Sequence, residues 1–271
     1  IGLDPAPWSF VYANTMIGTL GNPDFASAFV ALSTPATGYL IYSHVKDKKK
    51  AAIFLGVFLT QITALLVSKV YQGPMALAIA GFVACASLVW FTKKGLQYRL
   101  VVVSSVLLLG LVTTLGVLGQ GPLSSIFTKQ SFQIRIHAYW ETALEMGMRH
   151  LFFGVGPDQF ADQFNRVYSL ENRRVFGPIV TDNAHNYFLQ FFAEIGIFGA
   201  LFFLLLSLTT FAKAFRDLSH STTNDLALKV AMISTLTVYF AQALISIEHI
   251  AINIWFWILL GLLSGKTNSA K

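Results

Sequence analysis

Apolar runs of about 20 residues, separated by short polar or charged breaks, dominate the chain. Seven candidate helices result, at residues 24–43, 51–68, 73–92, 99–119, 186–212, 226–247 and 250–265. An α-helix needs about 20 apolar residues to cross ~30 Å of hydrocarbon. These runs therefore predict membrane spans, and only one long polar segment, residues 120–185, interrupts them.

Composition points the same way. The chain is 55% hydrophobic and only 12% charged, whereas roughly a quarter of the residues of a soluble domain carry charge. A soluble nucleic-acid binder is excluded despite the net charge of +6. We predict an all-α polytopic membrane helical bundle, one domain over residues 1–271. Because the chain does not begin with Met, we expect it to be the C-terminal portion of a longer protein and incomplete as an enzyme by itself.

Charge orients the predicted bundle. Short cytoplasmic loops collect Lys and Arg, and basic residues lie between spans at positions 46–50, 213 and 216. Acidic residues are more frequent on the side of the long polar segment. We therefore expect residues 120–185 to form an extracytoplasmic loop that carries the site.

Within this loop, residues 133–151 show the periodicity of an amphipathic helix. Arg135 and Arg149 are two heptads apart, which predicts that both guanidinium groups lie on one face. They could bind an anionic substrate. Alternatively, this is an interfacial helix whose basic residues meet lipid phosphates, with Glu141 and Glu145 in local ion pairs.

A second polar cluster, residues 181–187, leads into the fifth span. Asp182 or Asn183 can act as its N-cap, which would place His185 in the first turn. There the helix dipole disfavours imidazolium, and a neutral ring can accept a proton. The alternative is an ordinary hydrogen-bonding residue at the membrane interface.

Other candidates carry weaker signals. Glu194 lies nine residues into the fifth span, and an intramembrane carboxylate either does chemistry or pairs with a neighbouring helix. Glu248 and His249 occupy a predicted outer turn and could face the same compartment as His185. The six histidines show no metal-ligand spacing and no Asp-x-Asp pair exists, so we predict no metal and no cofactor.

Several motifs together resemble the C-terminal domain of the O-antigen ligase and O-antigen polymerase superfamily. They are the outer-loop signature Gly18–Pro23, the run Arg135–Leu144, the turn Gly154-Val-Gly156-Pro157 with Phe160, the run His185-Asn186-Tyr-Phe-Leu189, the run Glu194–Gly199 and the closing run Trp257–Gly261.

This resemblance implies a metal-independent membrane transferase of GT-C type in the bacterial inner membrane, acting on its outer face. Such enzymes move a glycan from undecaprenyl diphosphate to an acceptor hydroxyl or amide on lipid A core, polysaccharide or protein. It implies that Arg135 binds the diphosphate and that His185 activates the acceptor.

The resemblance also bears on the remaining site residues. The family commonly has a Ser-Arg or Thr-Arg pair at the outer end of an earlier span, where this chain has Ser68-Lys69. Lys69 is thus a candidate second diphosphate contact, unless the alignment shifts towards Tyr71 and Gln72. The predicted substrate-binding set is completed by Arg149, Asn186 and Glu194.

Alternatives within the resemblance are a polysaccharide polymerase and a protein O-oligosaccharyltransferase. More distant alternatives are a bicarbonate or small-solute permease and a non-catalytic membrane partner. A permease should carry ionisable or broken-helix sites at the midplane of paired repeats. Glu194 alone does not make such a site, so the transferase ranks first.

Overall fold

In a computed structural model, the chain folds into α-helices joined by turns. The structure describes residues 18–92, 95–219 and 221–265, and the ends of the predicted domain 1–271 lie outside these ranges. Within them there is no β-strand, so the prediction of an all-α fold is confirmed. The helices are α1 (Pro23–Ser43), α2 (Lys48–Val67), α3 (Gln72–Thr92), α4 (Leu96–Val117), α5 (Ser124–Phe127), α6 (Gln130–Ile134), α7 (Glu141–Arg149), α8 (Phe160–Val167), α9 (Leu170–Phe176), α10 (Tyr187–Leu218), α11 (Thr223–Ala243) and α12 (Ile250–Ser264).

Long helices occupy all seven predicted positions. Five of them, α2, α3, α4, α10 and α11, are long and apolar enough to cross a membrane. The other two fall short of that description: α1 mixes Ser, Thr and Pro35 with its apolar residues, and α12 has only 15 residues. The protein is therefore a polytopic membrane protein with at least five candidate spans in the part of the chain that the structure describes.

Helix α11 lies at the centre of the bundle. It contacts α1, α3, α10 and α12, and 56% of its apolar window is buried, compared with 6% for α2 and α4. The apolar side chains of those two outer helices, such as Leu59 and Leu107, point away from the protein. In a bilayer they would contact hydrocarbon, which explains why an apolar surface of this size is compatible with folding.

Small side chains, and hydroxyls that hydrogen-bond within their own helix, allow α1, α3 and α11 to pack closely. Ala31 and Ala80 are fully buried, and Gly73 lies directly against Ser27. Buried hydroxyls on α11 donate to carbonyls of their own helix, as Ser234 does to Val230 at 2.8 Å. Small residues at helix interfaces bring backbones together without a hydrophobic driving force, which suits a membrane interior.

The segment between α4 and α10 has a small core of its own. Helix α7 packs along α10, and the buried side chains of this core come from α7, α8 and α10. Gly147 matters here, because an added Cβ would lie 2.3 Å from the ring of Phe192. The segment is thus held against the beginning of α10.

Helix α10 is broken at Gly196, whose φ of 71° and ψ of −170° are not helical. The backbone around residues 151–156 satisfies the groups that the break frees. Ile197 N–H donates to the Leu151 carbonyl at 2.8 Å, and Gly156 N–H donates to the Glu194 carbonyl at 2.9 Å. Residues 197–218, about 33 Å at 1.5 Å per residue, are still long enough to span a bilayer.

Candidate functional site

Five parts of the chain meet at one end of the bundle. They are the starts of α1, α3 and α10, the turn at residues 244–249 between α11 and α12, and the helix of the polar segment. A polar pocket of about 300 Å³ lies between the start of α10, the turn at residues 244–249 and the polar segment at residues 158 and 182–186. Its polar lining comes mainly from Asp158, Asp182, His185, Gln190, Glu194 and Glu248.

The predicted loop helix is present but contains a π-helical turn. Helix α6 continues through the π-turn Arg135–Trp140 into α7. The wider turn disturbs the spacing of 100° per residue on which the common face of the two arginines was predicted. Arg135 is turned into the bundle, whereas Arg149 lies at the surface and bonds Glu145 at 2.8 Å. The prediction of a shared face is therefore wrong, and the local ion pair anticipated for Glu145 is present.

Arg135 is bound by main-chain and side-chain acceptors at the end of the bundle. Its Nη1 donates to the Ile245 carbonyl at 2.7 Å. The side-chain oxygen of Gln72, in the amide orientation that satisfies both of its ends, accepts from Nη2 at 2.9 Å and from Nη1 at 3.2 Å. The Gln72 nitrogen then donates to Gln242 at 3.1 Å and to Ser246 at 3.3 Å. These contacts hold the guanidinium in one orientation.

Burial lowers the pKa of Arg135, and the nearby negative charge of Asp24 acts in the opposite direction. The ordinary pKa of arginine lies so far above neutral that the group stays charged at any physiological pH. The site therefore contains a fixed, largely desolvated positive charge beside the pocket.

His185 stacks on Tyr139, with ring centroids 4.6 Å apart. Its Nδ1 is buried and has no hydrogen-bond partner among the residues that the structure describes. Burial, reinforced by the charge of Arg135, lowers the pKa of His185 to about 4. The imidazole is thus neutral at pH 7, and the ring lines the pocket while its Nδ1 is enclosed by protein.

The fifth span begins at Tyr187, within one residue of its predicted start, but the predicted N-cap at Asp182 or Asn183 is wrong. His185 has a φ of +50°, so the helix cannot begin before it. Asn186 is the N-cap, and its Oδ1 accepts from Leu189 N–H at 3.1 Å. Asn183 instead accepts from the backbone N–H of His185 at 3.0 Å. The ring is therefore neutral because of burial and Arg135, not because it lies in the first helical turn.

Glu194 lies on the short part of α10 that precedes the break at Gly196, and it lines the pocket. Its carboxylate lies beside the backbone amides of Asp158 and Phe160 and beside Gln190. The prediction of a continuous helix through Glu194 is wrong, because α10 breaks two residues later at Gly196 and the sequence pattern does not show this break.

The sequence of the chain matches one known protein family. The family described as O-antigen ligase matches residues 56–204, more than half of the chain. The chain belongs to the O-antigen ligase family. No curated protein matches the chain.

The O-antigen ligase match covers Gln72, Arg135, His185 and Glu194 and ends before the turn at residues 244–249. The structure brings these four residues to one end of the bundle. It does not bring Lys69 to Arg135: Lys69 is exposed with a φ of +57°, and Gln72 occupies the contact.

The remaining predicted contacts, Arg149 and Asn186, have structural partners. Arg149 is paired at the surface, and Asn186 lines the pocket while its Nδ2 donates to the Leu244 carbonyl at 3.1 Å. Their roles in substrate binding stay predictions.

Three groups at the site of this O-antigen ligase family member have no role predicted from the sequence. Ser246 and Glu248 line the pocket, and Tyr139 stacks on His185. A carboxylate in a predicted outer turn was the one available signal. Among the described residues, no group of three or more His, Cys, Asp and Glu side chains is close enough to hold a metal ion.

Proposed function

We propose that the protein transfers a glycan from an undecaprenyl diphosphate carrier to an acceptor at the outer face of the bacterial plasma membrane. Membership of the O-antigen ligase family supports this. The observation that carries the proposal is the position of His185, a neutral imidazole beside the half-buried cation Arg135 and at a polar pocket.

In this proposal Arg135 binds the diphosphate of the donor. A guanidinium has five N–H donors and matches phosphate oxygens bidentately. Gln72 and Ile245 use donors on Nη1 and Nη2 and fix the plane of the group. The charge is preorganised for the leaving diphosphate, and burial strengthens the interaction because the local dielectric is low.

His185 accepts the proton of the acceptor hydroxyl. As the hydroxyl oxygen forms a bond to C1 of the lipid-linked sugar, the bond between C1 and the phosphate oxygen breaks and undecaprenyl diphosphate leaves with that electron pair. A proton acceptor must be unprotonated before the reaction, and His185 with its pKa of about 4 meets this condition at neutral pH.

Donor binding should also make His185 a stronger base. The positive charge of Arg135 contributes to the low pKa of the imidazole. A bound diphosphate would offset that charge, so the ring would accept a proton more readily once the donor is in place. Because donor binding makes His185 a stronger base, proton transfer from the acceptor is favoured only in the complex that contains the donor.

The matching family is described as O-antigen ligase, and we take lipid A core as the acceptor of such a ligase reaction. A growing polysaccharide or a protein would use the same proton transfer and the same leaving group. We therefore assign the ligase reaction and treat the polymerase and protein O-oligosaccharyltransferase reactions as outcomes of the test.

The test is transfer by the full-length protein in membranes supplied with undecaprenyl-diphosphate-linked glycan and lipopolysaccharide that ends at its core. His185→Ala and Arg135→Ala should each lower transfer by at least about 100-fold. His150→Ala and Arg174→Ala are matched controls on exposed residues and should retain transfer. Transfer retained by the double variant His185→Ala/Arg135→Ala would refute the proposal.

A further inference from the structure

Glu248 lies in the turn between α11 and α12 and is oriented by two protein donors. Its Oε1 accepts from the Tyr187 hydroxyl at 3.1 Å and from Nδ2 of Asn253. Asn253 is itself oriented, because its Oδ1 accepts from the Tyr239 hydroxyl at 3.2 Å. Three side chains from α10, α11 and α12 thus form a network that directs this one carboxylate.

The network engages only one of the two carboxylate oxygens. Both hydrogen bonds to Glu248 within the described residues end on Oε1, although a carboxylate has about four lone-pair sites. Glu248 lines the same pocket as His185 and is exposed. Oε2 is therefore free to accept hydrogen bonds from a ligand in that pocket.

The charge of the pocket indicates which of the two substrates Oε2 of Glu248 would bind. The lining contains four carboxylates and neither Lys nor Arg, so it is unsuited to a diphosphate. Sugar hydroxyls and sugar amines are hydrogen-bond donors, and a carboxylate is a strong acceptor for both. In the proposed function the diphosphate of the donor binds Arg135, and the pocket is suited to the acceptor.

We propose that Oε2 of Glu248 binds the acceptor sugar through a hydroxyl or amine adjacent to the attacking hydroxyl, and so presents that hydroxyl to His185. This rests on the proposed transferase function and extends it to a residue beyond the segment that matches the family. Tyr187 and Asn253 are positioning residues, since they act through Glu248.

Glu248→Gln provides the test. The substitution keeps an oxygen for Tyr187 and Asn253 and replaces Oε2 by an NH₂ group, which cannot accept. With the full-length protein in membranes, core-terminated lipopolysaccharide and undecaprenyl-diphosphate-linked glycan are each varied in turn. We expect the KM for the lipopolysaccharide to rise about tenfold, as expected for loss of one charge-assisted hydrogen bond. The KM for the donor should change by less than about twofold.

Two further variants separate this effect from a loss of folding. Tyr187→Phe removes one donor to Oε1 and should raise the acceptor KM by a smaller factor, about threefold. Glu171→Gln changes the same residue type at an exposed position of α9 and should leave both KM values unchanged.

The possible results are distinguishable. If the wild-type protein transfers glycan and Glu248→Gln leaves the acceptor KM unchanged, the role of Glu248 is refuted while the transferase function stands. An equal rise in both KM values would also refute an acceptor-specific role. Failure of the wild-type protein to transfer glycan would refute both proposals.

Discussion

At the scale of single residues, the packing around His185 determines its protonation state. The sequence suggests a neutral imidazole because of a helix dipole, whereas the structure makes it neutral through burial and the charge of Arg135. The orientation of the Arg135 guanidinium depends on Gln72, which accepts two of its N–H hydrogen bonds. Three predictions concern these residues.

The first concerns the titration of His185. Protein labelled with ¹⁵N-histidine in detergent micelles should show one imidazole with a pKa of about 4, assigned by its absence from His185→Gln. Arg135→Met should raise this pKa, because a nearby positive charge that disfavours imidazolium is removed. A His185 signal that titrates near the ordinary value of 6.5 would contradict the prediction.

The low pKa of His185 also makes the folding stability of the protein decrease as the pH falls. Below pH 6.5 the unfolded chain would bind a proton at His185 more readily than the folded chain. This contribution to stability is therefore present at neutral pH and is lost as the pH falls from about 6.5 towards 4. His185→Gln should reduce the pH dependence of thermal unfolding within this range.

The third prediction concerns Gln72. Gln72→Leu leaves two buried guanidinium N–H groups without their acceptor, which costs about 1–3 kcal/mol, and should lower kcat/KM for the donor by roughly tenfold. Gln72→Glu should lower it as well, because a carboxylate would compete with the diphosphate for Arg135. Gln97→Leu, at an exposed position of α4, is the control; a donor kcat/KM unchanged in Gln72→Leu would argue against this contact.

At the scale of elements, the break in α10 and the turn Gly154–Gly156 form one unit. An added Cβ at Gly154 would lie 2.3 Å from the Glu194 carbonyl carbon, and one at Gly196 would lie 2.3 Å from the Phe152 carbonyl oxygen. The two glycines allow the two backbones to approach closely. The motif that the sequence suggested to be a turn is thus what positions Glu194 at the pocket.

Gly154→Ala and Gly196→Ala should each destabilise the protein by about 2 kcal/mol or more, since each adds a steric clash at a residue of positive φ. The measurement is the thermal unfolding midpoint in detergent, together with glycan transfer. Gly110→Ala is the control, because nothing lies within 4 Å of its added Cβ. Equal midpoints for Gly196→Ala and Gly110→Ala would show that the close approach is not required.

At the scale of the whole molecule, the pocket and the basic inter-helix segments lie at opposite ends of the bundle. Residues 46–50 lie between the end of α1 and the first turn of α2, at the end away from Gln72 and Asn22. The distribution of Lys and Arg predicts that this end faces the cytoplasm. The proposed reaction requires the pocket to face the opposite compartment.

Cysteine labelling tests this orientation. In a Cys85→Ala background, Glu171→Cys should react with a membrane-impermeant maleimide applied to intact spheroplasts. Lys48→Cys should react only after the membrane is opened. The reverse pattern would place the pocket in the cytoplasm and contradict the proposed function.

The sequence by itself determined the helical class, the positions of the long helices and the identity of the charged candidates. It could do so because hydrophobic runs and the few polar residues between them act locally along the chain. Arg135 and His185 were identifiable because the resemblance to a family placed them in order within one segment.

Only the tertiary structure decided which of these candidates meet. The π-turn separates Arg135 from Arg149, and the break at Gly196 moves Glu194 to the pocket. The turn after α11 brings Glu248 to His185 from 63 positions further along the chain. Such contacts depend on how distant backbones pack, and a periodicity of 3.6 residues carries no information about them.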